Sequence, residues 1–81
     1  MNVRVRLFAV ARELAGCEWI SLEVPEGSTV GQLRARLAAE VPALAAVLPQ
    51  VLFAVGSEYA PNDAVVGADS EVACIPPVSG G

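Results

Sequence analysis

The stretch of this sequence best suited to chemistry offers no side chain for it: Pro76-Pro77-Val78-Ser79-Gly80-Gly81, the last six of 81 residues. At an average glycine usage of about 7%, two adjacent glycines end roughly 0.5% of chains by chance, so the pair is informative without being decisive. Neither glycine carries a Cβ, which lets the main chain enter a passage too narrow for side chains and take φ values that other residues avoid. The group that leads is the α-carboxylate of Gly81. Pro76 and Pro77 fix φ near about −65° and favour an extended path, which predicts a short stiff stalk with freedom only at its tip. Six extended residues at ~3.3 to 3.6 Å each reach roughly 20 Å, enough to bring the carboxylate into another protein's active site. The competing reading is a frayed terminus with no role.

The rest of the composition offers little chemistry of its own. Histidine and lysine are absent, and the two cysteines, Cys17 and Cys74, lie far apart without the paired spacing of a zinc or redox motif. Nothing cationic adjoins either thiol in sequence to activate it, so both read as structural. A general base would have to be one of nine carboxylates, and no motif singles one out. Catalysis by this chain unaided is therefore disfavoured, and no metal site is expected. The net charge of −4 argues against nucleic acid, whose binding rests on Lys and Arg neutralising phosphates, and points to a basic protein partner. The longest charge-free stretch, Val41 to Ser57, is interrupted by Pro42, Pro49, Gln50 and Gly56 and is too short to span a bilayer, so no membrane role is expected. The N-terminus alternates from the start and lacks the apolar run of a signal peptide, which predicts a cytoplasmic protein with reduced thiols.

The elements that must position the tail are legible from periodicity. Val3, Val5 and Leu7 alternate with Arg4, Arg6 and Phe8, which predicts a first strand with Phe8 on the outer side. Ala9 to Ala15 suits a short helix closed by Gly16. Cys17 to Val24 alternates again, with Ile20, Leu22 and Val24 inward and Trp19, Ser21 and Glu23 outward. Thr29-Val30-Gly31-Gln32 fits a capping box, opening a helix whose buried face is Val30, Leu33, Leu37 and Val41 and which Pro42 ends; Arg34, Arg36 and Glu40 fall on flanking or solvent sides. A helical turn over Leu44 to Leu48 precedes a central strand, Val51 to Val55. Gly56-Ser57 suits a tight hairpin turn with glycine in first place, returning through Glu58-Tyr59-Ala60. Glu71 to Ile75 is a final strand running straight into the tail.

This order predicts an α+β fold, a ubiquitin-like β-grasp with a mixed sheet packed on one main helix, over residues 1–75, followed by a tail over 76–81. The sheet's other face would then be open and carry Phe8, Trp19, Ala73 and Ile75. A contiguous apolar patch there marks a partner interface. The alternative is that loops or the short helix cover these residues.

Leu7-Phe8-Ala9 with Arg12-Glu13-Leu14-Ala15-Gly16, and Glu71-Val72-Ala73-Cys74-Ile75 running into the Pro-Pro-Val-Ser-Gly-Gly ending, give the whole chain a close resemblance to the small subunits of molybdopterin synthase, the MoaD-type sulfur carriers. The double glycine is shared by all ubiquitin-like carriers; the full ending is much narrower. The chain departs from the family where Asp-Gly-Asp-Glu-Val is usual and Ala68-Asp69-Ser70-Glu71-Val72 stands, and where asparagine is frequent and Gly56 stands. Both departures concern turns. The resemblance implies that an ATP-dependent activating enzyme adenylates the Gly81 carboxylate, that sulfur from a donor protein replaces AMP to give a thiocarboxylate, and that residues 76–81 enter a large subunit. There sulfur passes to cyclic pyranopterin monophosphate, in an assembly of two small and two large subunits. It implies no cofactor bound to this chain. Other readings are a thiamine-pathway or other sulfur carrier, a ubiquitin-like protein modifier, and a plain binding module with an inert tail.

Overall fold

The computed structural model describes residues 1–77; Val78, Ser79, Gly80 and Gly81 lie outside the described residues. Five strands, β1 (Asn2–Leu7), β2 (Trp19–Glu23), β3 (Leu52–Val55), β4 (Glu58–Ala60) and β5 (Glu71–Ile75), form one sheet in the order β2-β1-β5-β3-β4. β1 and β5 run parallel and the other pairs antiparallel, so the expected mixed sheet is present and β5 lies at its centre. Helix α1 (Ala9–Ala15) joins β1 to β2, and α2 (Val30–Glu40) crosses the core face. Among the described residues, no helix is long and apolar enough to cross a membrane.

Alternation drives the sheet as the sequence predicts. Val3, Val5 and Leu7 are buried while Asn2, Arg4 and Arg6 are exposed, because successive strand residues point to opposite faces. Ile20, Leu22, Val72, Cys74 and Phe53 join the same core, over which Val30, Leu33 and Leu37 of α2 pack. The capping box forms in full: the Thr29 hydroxyl accepts from the Gln32 N–H at 3.2 Å, and the Thr29 N–H donates to Gln32 Oε1 at 2.8 Å. Gly16 ends α1 in the left-handed region at φ 74°, its N–H donating to the Arg12 carbonyl.

Two local expectations need correction and a third is sharpened. The helical turn expected over Leu44 to Leu48 is instead two 3₁₀ turns, Pro42–Leu44 and Leu48–Gln50, with proline first in one and second in the other, positions where a missing N–H costs nothing. Arg34 takes the flanking side of α2 that the sequence allowed, not the fully solvent one. Its guanidinium is half-buried 4.8 Å over the Phe53 ring and donates to the carbonyls of Leu48 and Val51 and to Asn62 Oδ1. It thus ties the segment before β3, and the turn after β4, to α2. The Gly56-Ser57 turn has both central residues left-handed, at φ 57° and 74°, whereas the glycine-first type needs only one. Ser57 therefore carries a strain that glycine would not.

Ser57→Gly is expected to stabilise the fold by about 0.5 to 1 kcal/mol, the left-handed penalty of roughly 1 to 2 kcal/mol less the extra entropy that glycine loses on folding. A urea midpoint that fails to rise at unchanged slope would show that the turn is already relaxed.

The loop between β4 and β5 is tied to the start of α2: Val30 N–H donates to the Ala64 carbonyl at 2.9 Å, and Val66 N–H to the Ser28 carbonyl at 2.8 Å. Val66 becomes a core residue in this way, although no periodicity surrounds it.

Candidate functional site: the open sheet face and the base of the tail

Side chains paired across strands share a face, so the strand registers define the surface opposite α2. One row crosses all five strands: Trp19 opposite Arg6, Arg6 beside Ala73, Ala73 opposite Ala54, and Ala54 opposite Tyr59. A second pair, Ile75 opposite Leu52, sits one step nearer the tail. Phe8, just past β1, is half-buried at the same end, and its N–H donates to the Cys74 carbonyl at 3.2 Å.

Phe8, Trp19 and Ala73 come together around one shallow groove of about 180 Å³, whose lining also includes Arg6, Ala54 and Glu71. Two small alanines make its floor. Ile75 lies on the same face but outside that lining. Phe8, Trp19, Ala73 and Ile75 are all half-buried, so neither loop nor helix seals them off.

Two members of this face were not singled out by sequence reasoning, Leu52 at 54% exposure and Tyr59 at 70%. Reading the run Val51 to Val55 as a central strand hid its alternation. Once Phe53 is inward, Leu52 must be outward, and the hairpin register then places Tyr59 beside Ala54.

The aromatic end of the face is held by cations. The Arg4 guanidinium lies 4.3 Å from the Trp19 ring centre, and that of Arg6 lies 5.0 Å from Phe8 and 5.6 Å from Trp19. Arg6 is itself fixed by the Glu18 carboxylate at 2.8 Å. Such stacking is worth about 0.5 to 1 kcal/mol at exposed sites, so it orients the rings more than it stabilises the domain.

At the base of the tail, Pro76 is buried and Pro77 exposed, so the first proline still packs on the globule. The remaining residues expected to enter a partner, Val78, Ser79 and Gly80, and Gly81, expected to be the reactive one, lie outside the described residues. Among the described residues no cluster of His, Cys, Asp or Glu side chains could hold a metal ion.

The two thiols are free and differ sharply. Cys17 is exposed and Cys74 is buried. Burial pushes the Cys74 thiol up to about 11 from an ordinary 9.0, with the Arg34 guanidinium pulling it partly back. A raised pKa means that the fold favours the protonated thiol. The resulting stabilisation is fully present below about pH 9 and is lost as pH rises through about 11. The urea midpoint should therefore fall between about pH 8 and about pH 10.5, and fall less in Cys74→Ala. Equal falls in the two proteins would assign the loss to other groups.

The ThiS family pattern matches residues 5–81. The chain is 40% identical over 81 residues to the molybdopterin synthase sulfur carrier subunit of Arabidopsis thaliana, a match covering 100% of this chain and 84% of that protein. Among solved structures it is similar to SAMP1 from Haloferax volcanii, with a TM-score of 0.88, 29% identity and 100% of both chains covered. It also shares its fold with a chain in the complex of subunits 1 and 2 of the molybdopterin-converting factor from Helicobacter pylori, with a TM-score of 0.69, 22% identity and 100% of both chains covered. With a family match over nearly its whole length and a relative this similar throughout, the chain belongs to the ThiS family, in the company of the molybdopterin synthase sulfur carrier subunits.

Proposed function

We propose that this chain is the sulfur-carrying small subunit of a molybdopterin synthase, with the Gly81 carboxylate as its reactive group. The observation that carries this reading is the 40% identity to such a carrier along the whole chain. A carboxylate is a poor electrophile, so it must first be activated. An activating enzyme using ATP joins it to AMP, and sulfur from a donor protein displaces AMP to leave a terminal thiocarboxylate. The sulfur then passes to cyclic pyranopterin monophosphate within a large subunit, which completes the catalytic site. This chain supplies the cargo, the spacer and the docking face, and needs no cofactor of its own.

The geometry supports the assignment of roles. The groove around Phe8, Trp19 and Ala73 runs from the β3–β4 turn and the start of β5 across the middle of the sheet, and Phe8 and Ile75 carry the same face to the end from which β5 leads into Pro76 and Pro77. A large subunit seated on that face receives residues 77–81 directly, in an assembly of two small and two large subunits. The Helicobacter pylori protein of the same fold occurs in a complex of subunits 1 and 2. The reducing cytoplasm suits a thiocarboxylate and two free thiols.

The test is intact-mass measurement of the protein purified from its native host, together with identification of what co-purifies. Replacement of one terminal oxygen by sulfur, with a pterin-binding subunit bound, is the expected result. A second reading, protein modification, is favoured by the likeness to SAMP1, named a small archaeal modifier protein in a second structure from Haloferax volcanii. Covalent adducts on lysines of other proteins would establish it. An unmodified mass under all growth conditions would sink both.

A further inference from the structure

We infer that the open edge of the sheet, strand β2, pairs antiparallel with the same strand of a second copy of this chain, with Ser21 on the two-fold axis. β2 ends the strand order and has β1 on one side only. The phase of the β1–β2 ladder is fixed at both ends: the Val24 N–H donates to the Met1 carbonyl at 2.9 Å and the Leu7 N–H to the Glu18 carbonyl at 2.7 Å. Bonded and non-bonded pairs alternate along an antiparallel ladder. Counted from either end, Asn2 opposite Glu23, Arg4 opposite Ser21 and Arg6 opposite Trp19 are the non-bonded pairs. The main-chain N–H and C=O groups of Trp19, Ser21 and Glu23 therefore point away from β1, out of the sheet. Among the described residues, the Glu23 carbonyl alone of these groups has a partner, Arg36 Nε at 3.4 Å.

Such an edge is a template for another strand. What selects a second copy is that this edge is its own complement. Of the antiparallel registers that match outward groups to outward groups, the one centred on Ser21 uses all three residues: Trp19 meets Glu23, Ser21 meets Ser21, and each N–H finds a C=O. The side chains agree with it. Ile20, half-buried, comes opposite Leu22 of the other copy on the core side. Glu23 comes opposite Trp19 on the other side, where the Arg4 guanidinium already lies 4.3 Å from the ring centre. Arg4 has no carboxylate within ion-pair distance among the described residues, so the incoming Glu23 gives it a counter-charge, and symmetry repeats the contact.

Two features keep the association weak. Arg36, which also pairs with Glu40 at 3.1 Å, guards one end of the edge and must release the Glu23 carbonyl before a second strand can bond there. Each copy also carries a net charge of −4, so the copies repel at long range. Pairing is therefore concentration-dependent. It uses the edge of the sheet and not its open face, although Trp19 borders both, and it does not rest on the carrier reading.

The test is analytical ultracentrifugation of the 81-residue chain from about 10 μM to about 1 mM, joined to cross-linking at the axis. The average mass is expected to rise with concentration toward that of two copies. Ser21→Pro removes the outward N–H on the axis, at an edge position where proline is tolerated, and should weaken the dimer at least about tenfold with an unchanged circular dichroism spectrum. Facing residues of a bonded antiparallel pair have Cα atoms about 5.5 Å apart, within disulfide reach. Ser21→Cys, in a chain that also carries Cys17→Ser, should therefore join two copies at least about tenfold faster than Ala39→Cys on the exposed side of α2 in the same background. Glutathione disulfide is the oxidant: the two thiols lose two protons and two electrons, and it leaves as two glutathione thiols. A dimer that Ser21→Pro leaves intact, or equal cross-linking at positions 21 and 39, overturns the inference. So does a monomeric mass at every concentration, which would leave the edge to a strand of a different protein.

Discussion

Deletion of Gly81, or Gly81→Ala, is expected to abolish sulfur transfer while leaving the domain as stable as before, within about 0.5 kcal/mol. The two changes act differently on the same atom. Deletion withdraws the carboxylate by one residue, ~3.5 Å, from wherever the activating enzyme and the large subunit hold it. The alanine keeps the length but adds a Cβ beside the reacting carbon and restricts the final φ. A displacement of about 1 Å already costs on the order of a hundredfold in a positioned reaction, so either variant should lose at least that much in thiocarboxylate yield or transfer rate. The check is mass spectrometry after incubation with activating enzyme, ATP and sulfur donor, paired with a thermal melt. Retained transfer would disprove the role of the terminus. A large fall in melting temperature would mean that Gly81 is part of the globule.

Phe8→Asp should weaken binding of the large subunit by roughly thirtyfold or more, the loss of about 2 kcal/mol that a buried aromatic anchor commonly accounts for. The domain should survive the change, for reasons visible around the residue. Phe8 is half-buried rather than core, and its tie to Cys74 runs through the main chain, which Asp retains. It also occupies the N-cap of α1 in an extended conformation without a side-chain cap. Asp is among the favoured N-cap residues, so the new carboxylate gains what the ring loses in packing. Binding can be followed through Trp19, the one tryptophan in the sequence, which lines the same groove. If the variant unfolds, Phe8 belongs to the core; if binding is unchanged, the partner sits elsewhere.

What the sequence made legible follows from how each signal arises. Strict alternation over Val3 to Leu7 fixes one face as inner, and the capping box at Thr29 marks the start of α2 to the residue, because both are local consequences of backbone geometry. Outward placement of Phe8, Trp19, Ala73 and Ile75 followed from the same parity, and their half-buried states on one face agree with it. Contacts between distant segments were harder to read. Arg34 looks like a helix-surface charge in sequence, and only folding brings Leu48, Val51 and Asn62 within its reach. Val66 is buried because the loop that carries it pairs with the start of α2, an arrangement no periodicity announces. Leu52 and Tyr59 were recoverable in principle, since an inward Phe53 already determines both. Gly56-Ser57 marks the turn in sequence but not its type, because glycine in first place is compatible with either hairpin geometry.

β5 has a neighbour on each side, parallel β1 from Arg4 to Leu7 and antiparallel β3 from Leu52 to Val55, and its last residue leads directly into the tail. A protein that grips the tail and pulls therefore loads this strand along its length, in shear, and must break hydrogen bonds of both ladders together instead of peeling them one at a time. The domain can be dragged by its end, or its end drawn from a tight tunnel, without the handle unravelling.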